Sequence, residues 1–127
     1  MDTRPMGFAK AMAVTAGPLL FTAAVGYDKN WKLTGDGGLE AQIKQCARNL
    51  KAVLKSAKAA PCDVIQLKFY VVNLKPDDRF VIKKVMERHF YDAKARPTTA
   101  LLGIAALARP DLRIEIEMVA ALPEVRH

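Results

Sequence analysis

The chain has 127 residues, of which 51% are hydrophobic and 26% charged, and its formal charge is +7. That composition excludes a disordered chain, and a domain of this length buries roughly two-thirds of its unfolded surface, so one domain over residues 1–127 can build its own core. The positive charges are scattered or line one helix face as Lys44, Arg48, Lys51 and Lys55, without the interleaved aromatics of a nucleic-acid surface.

Ala11–Gly26 is apolar and follows Arg4 and Lys10, as a signal peptide would, but Ala16-Gly17-Pro18 interrupts it with turn residues. It is also too short and too broken to span a membrane. It predicts two short strands, Ala11–Thr15 and Leu19–Val25. A polar loop, Tyr27–Gly38, follows. Leu39–Lys58 carries Leu39, Ile43, Ala47, Leu50, Leu54 and Ala57 at helical spacing, with Asp36 as a nearby start signal. Pro61 ends the linker. Val64–Leu74 predicts a long strand with Ile65, Leu67, Phe69 and Val71 on one face and Gln66, Lys68 and Tyr70 on the other. Asn73–Asp78 is a turn, and Asp77 or Asp78 caps a second helix running to about Tyr91. Its inner side is Ile82, Val85, Met86, His89 and Phe90, which makes His89 a packed helix residue rather than a catalyst. After a loop over Ala93–Thr98 come a strand Thr99–Leu107, a turn at Arg109-Pro110-Asp111 and a last strand Leu112–Leu122.

The order β-β-α-β-α-β-β is an α+β domain with two helices covering one face of a mixed sheet. The opposite face keeps Val64, Tyr70 and Val72 among its charges, and an apolar sheet face left open invites association, so an oligomer is expected. Cys46 and Cys62 have no metal or redox spacing and are expected to be reduced, as in a cytoplasmic protein. The only histidines are His89 and the terminal His127, so no metal site is expected.

The last strand carries the chemistry. Leu112, Ile114, Ile116, Met118, Ala120 and Leu122 alternate with Arg113, Glu115 and Glu117. One face seals a core while the other presents two carboxylates and a guanidinium on a rigid element, a good arrangement for holding a reacting water. The bland alternative is a charged ladder steadied by Arg113 and Lys68.

Three segments carry a resemblance: Gly17-Pro18-Leu19-Leu20-Phe21-Thr22; Leu39-Glu40-Ala41-Gln42 with Gln45 and Asn49-Leu50; and Arg96-Pro97 through Ile114-Glu115-Ile116-Glu117. In that order, over Ala13–Leu122, the chain resembles the Rid (YjgF-like, reactive intermediate deaminase) family. The resemblance implies a chorismate-mutase-like fold and a homotrimer with a central barrel and pockets between subunits. It also implies hydrolysis of imines and enamines to keto acids and ammonia without metal or cofactor. It assigns water handling to Glu115. Thr99 and the backbone around Ala100 and Leu101 are then expected to contact the substrate, with Val25 suiting an apolar one and Arg96 a candidate relocated anion contact.

The chain also departs from the family pattern. Active deaminases of the family carry an arginine two residues after the proline, where Thr99 stands here. Losing a charge-assisted bond weakens carboxylate binding about tenfold to over a hundredfold. Ala23-Ala24-Val25 replaces a Ser-Gly-Gln, and the N-terminal aromatic has only Phe8 as a counterpart. The expected substrate is therefore a reactive intermediate other than a simple 2-iminoacid, bulkier and more apolar. A neighbouring subunit's Lys68 or Arg109 is a candidate for the missing cation. The alternative is a non-catalytic trimeric binding or regulatory protein. Ribonuclease activity or translation inhibition, also attached to the family, has no His pair or aromatic–basic stripe to support it.

Overall fold

The computed structural model describes residues 9, 11–15, 17–93 and 95–123; Phe8 and His127 lie outside them. The chain runs β1 (Leu19–Val25), α1 (Leu39–Ser56), a single 3-10 turn at Pro61–Asp63, β2 (Val64–Val72), α2 (Asp78–His89), β3 (Thr98–Ile104) and β4 (Ile114–Ala121). The strict alternation read in the last strand is β4, whose Ile114, Ile116, Met118 and Ala120 are fully buried while Glu115 and Glu117 face out.

The strands form one sheet in the order β1-β4-β2-β3. β4 pairs antiparallel with both β1 and β2, and β2 pairs parallel with β3, so the sheet is mixed, as expected. The parallel pair needs a crossover, which α2 supplies. α1 buries Leu39, Ile43, Cys46, Ala47, Leu50 and Leu54, and α2 buries Ile82, Val85 and Met86; with the inner sides of β2 and β4 they make one core on one face of the sheet.

Two expectations need correcting. Ala11–Thr15 is no strand: these residues are exposed and unpaired. Strand propensity needs a ladder partner to be realised, and Ala11–Thr15 has none among the described residues; ahead of it, Ala9 bridges Thr98 and donates its N–H to the Pro97 carbonyl at 2.9 Å. Second, Val64 is buried and Ile65 is not, the reverse of simple alternation. A register shift between Val64 and Gln66 inserts an extra residue and flips the strand's start.

Two helix starts also differ in detail. α1 begins after Gly38, whose N–H is held by the Asp36 carboxylate at 2.8 Å, so Asp36 shapes the approach rather than capping the helix. At the start of α2, Asp77 stands at the N-cap without a side-chain cap bond, and Asp78, the first helical residue, accepts the Lys75 N–H at 2.9 Å instead of capping the helix.

The cysteines are unbonded. Burial pushes the Cys46 thiol up to about 12, with the Glu115 charge adding to it, and its S–H donates to the Ala24 carbonyl at 3.5 Å. Cys62 is exposed. A disulfide-exchange reagent at mild pH is expected to modify Cys62 alone in the native protein and to reach Cys46 only after denaturation. Fast reaction of both thiols in the native state would contradict this packing.

Candidate active site

The register arranges the uncovered sheet face in rows. Val25, Glu115, Tyr70 and Leu102 form one row across the four strands; Ala23, Glu117, Lys68 and Ala100 form the next; Phe21, Val119, Gln66 and Thr98 form the third. The face carries large exposed apolar side chains, with Phe21 at 70% exposure and Leu102 at 42%. The open apolar face expected from the sequence is therefore present.

On this face the two carboxylates differ. Glu117 pairs with Lys68 across β2 at 3.8 Å, both side chains being well exposed. Such a pair is worth about 0–1 kcal/mol. Glu115 is half-buried between Val25 and Tyr70, and among the described residues its carboxylate has neither an ion pair nor a hydrogen bond. Arg113 does not restrain it, contrary to expectation. Its guanidinium turns to the end of β2, donating to the Val72 carbonyl at 3.0 Å and lying 3.5 Å from both the Asn73 carbonyl and the Asp78 carboxylate. The physical reason is the left-handed backbone of Asn73 (φ 61°), which ends β2 and leaves carbonyls for a cation.

The substrate contacts implied by the resemblance divide between the two faces. Val25 sits beside Glu115, and Ala100 is on the same face at the far edge. Thr99 and Leu101 pair with the inward-facing Leu67 and Phe69, so they point to the helix side. β3 is two strands from β4, about 10 Å at ordinary strand spacing. With the sheet between them, Glu115 and Thr99 of one chain do not converge on one small molecule. Arg96 stacks on Tyr91, 4.7 Å from the ring centroid, and its guanidinium lies 3.7 Å from Glu87. Its charge is only partly engaged: Glu87 also pairs with Lys83 at 2.9 Å, and the Arg96 Nη1 is buried with no hydrogen-bond partner among the described residues.

The spaced amides of α1 prove to be positioning residues. Asn49 donates to the Val25 carbonyl at 3.0 Å and to the Tyr27 carbonyl at 2.9 Å, fixing the strand end beside Glu115, while Gln45 donates to the Asn49 amide oxygen at 2.9 Å. Gln42 donates to the Gly37 and Asp111 carbonyls at 2.9 and 3.0 Å and accepts the Arg113 N–H at 2.8 Å, fixing the entry to β4. The Tyr27 hydroxyl donates to Asp111 at 2.5 Å on the same turn, and that bond raises its pKa.

Helical periodicity could not reveal these roles, because polar residues on a helix read as a solvated face. It also missed an open groove of about 420 Å³ lined by Leu74, Lys75, Pro76, Arg79 and Leu101.

The Endoribonuclease L-PSP family model matches residues 4–122. A RutC family protein of Synechocystis sp. is 31% identical over 113 residues, covering 87% of this chain and 84% of that one. The chain belongs to the Rid (YjgF-like) family. The structure of the Rid protein YyfB of Yersinia pestis is 37% identical and covers 95% of this chain and 91% of its own, with a TM-score of 0.89. RidA of an Antarctic Psychrobacter sp. shares the fold at a TM-score of 0.71 and 22% identity, with 91% of this chain and 94% of that one covered. In this Rid protein Glu115 has no ion pair among the described residues, and Thr99 stands on the edge strand β3.

Proposed function

We propose that this Rid protein hydrolyses an imine or enamine of a reactive metabolic intermediate, with Glu115 handling the water. The observation that carries the proposal is the contrast between the two carboxylates: Glu117 is held by Lys68, whereas Glu115 is half-buried beside Val25 and Tyr70 with no partner among the described residues. Water adds to the imine carbon. Glu115 orients it and accepts its proton, then returns a proton to the nitrogen. The carbinolamine collapses to the carbonyl and releases ammonia. Nitrogen leaves as ammonia and oxygen enters from water, so the step balances with no oxidant, metal or cofactor.

The site is proposed to lie between copies of the chain in a cytoplasmic homotrimer. Two features support this. The open apolar face calls for a partner, and Glu115 and the Thr99–Leu101 strip meet one ligand only when they come from different chains. In keeping with this, no helix among the described residues is long and apolar enough to cross a membrane.

The test is a competition assay. An amino-acid oxidase generates imines from a panel of amino acids, and semicarbazide traps them. The protein is expected to suppress semicarbazone formation, most strongly for bulky apolar side chains. No suppression across the panel would overturn the reading. It would favour instead a Rid protein that binds small molecules without turnover, to which Thr99 in place of arginine already lends weight.

A further inference from the structure

β2, α2 and β3 form a parallel βαβ unit, and the groove lies at its C-terminal mouth, where Leu74 and Pro76 leave β2 and Leu101 comes from β3. Its floor is apolar. Leu74 packs over Gly103, so closely that a Cβ there would meet the Leu74 side chain at 3.2 Å. Two cations rim this floor. Lys75 and Arg79 are both exposed, and among the described residues neither has an ion pair. Two carboxylates lie between them in sequence: Asp78 is taken by Arg113 at 3.5 Å and by the Lys75 backbone N–H, and the exposed Asp77 forms no ion pair with either cation among the described residues. Arg79 lies 4.6 Å from the centroid of the Phe80 ring. Stacking restrains the guanidinium plane and leaves its N–H edge free for a planar anion.

Leu101 also shares its face of β3 with Thr99, two residues earlier and about 6.6 Å away along the strand. The groove therefore continues the strip on which Thr99 replaces the usual cation, displaced by one side-chain repeat.

We propose that this groove is a carboxylate subsite: Lys75 and Arg79 hold the acid group, and Leu74, Pro76 and Leu101 receive an apolar body. The inference rests on the hydrolase reading for the ligand's class, which becomes the imine of an apolar 2-oxo acid. A charge lost at Thr99 is recovered from the β2–α2 turn. An acid bound over Leu101, rather than over Thr99, leaves room for a longer side chain, in keeping with a substrate larger than the simplest iminoacids.

The test separates binding from turnover. 4-Methyl-2-oxopentanoate, a stable hydrolysis product of this class, and its uncharged amide are titrated into the wild-type protein and into Lys75→Gln/Arg79→Gln, followed by NMR shifts of backbone amides. Both side chains are exposed, so the double variant should fold, and circular dichroism checks that it does. The acid is expected to bind the wild type with shifts at Leu74 and Leu101. Its Kd should rise about tenfold or more in the double variant, while the amide binds both proteins alike. Arg79→Lys should restore part of the loss. Equal Kd values for the acid in both proteins, an acid no tighter than its amide, or no binding of the acid at all would each overturn the subsite. If the acid binds as expected but no imine is hydrolysed, the subsite stands and the hydrolase reading falls. If imines are hydrolysed with an unchanged KM in the double variant, the subsite falls and the hydrolase reading stands.

Discussion

Glu115→Gln is expected to lower kcat for imine hydrolysis by about a hundredfold to ten-thousandfold, the usual range for losing a positioned general acid–base group, with KM nearly unchanged. The amide keeps the shape of the side chain and can still orient water, but it cannot take a proton. Because the Glu115 carboxylate has no partner among the described residues, the substitution breaks no ion pair, and the thermal midpoint should hold. Glu117→Gln is the matched control. It removes only the exposed pair with Lys68, two residues along the same face, and should leave kcat within about threefold and stability within about 1 kcal/mol. The measurement is initial rate against imine supply in the semicarbazide competition. Equal loss in both variants would mean the face needs charge rather than one placed base, and undiminished turnover in Glu115→Gln would remove Glu115 from the mechanism.

What could be read in the sequence follows from how local each feature is. The alternation of β4 and the periodicity of α1 are set by residues within a few positions of one another, and both stand in the structure with their ends moved by a residue or two. Val64 and Ile65 exchanged faces because a register shift is a property of two strands, not of one. Ala11–Thr15 has strand-like residues, but nothing in the segment says whether a ladder edge is free to receive it. The candidate site was legible as Glu115 and Val25, which turn out to be register partners on β4 and β1. That Thr99 and Leu101 lie on the opposite face was not legible, because it depends on the strand order β1-β4-β2-β3 and on which residues of β2 face inward. Arg113 misled for a related reason. Alternation assigned it to the face of Glu115, yet its long side chain reaches back past the end of β2 to carbonyls that only the turn at Asn73 exposes.

Gln42→Leu is expected to destabilise the fold by about 3–5 kcal/mol, although it exchanges one buried side chain for another of similar bulk. Gln42 is 1% exposed and satisfies three backbone groups from two distant loops: the Gly37 and Asp111 carbonyls and the Arg113 N–H. Leucine would leave all three without a partner, each at about 1–3 kcal/mol if no water replaces it. Relaxation around the site is restricted. Gly26 lies directly under Gln42, so close that even a Cβ at residue 26 would fall 2.8–2.9 Å from Gln42 atoms, and α1 cannot settle inward to compensate. At fixed protein concentration the thermal midpoint should fall by roughly 10 °C or more, and the denaturant midpoint should fall with the slope unchanged. Gln45→Leu provides the comparison. Among the described residues Gln45 bonds only side chains, Asn49 and Arg48, at 2.9 and 3.3 Å, so its loss should cost about 1 kcal/mol. A Gln42→Leu protein as stable as wild type would mean that water enters the loop junction, and that the entry to β4 does not depend on this amide. If stability falls as expected while Glu115-dependent turnover in the remaining folded protein falls too, then Gln42 also places the strand that carries the carboxylate. A merely structural amide would leave that turnover unchanged.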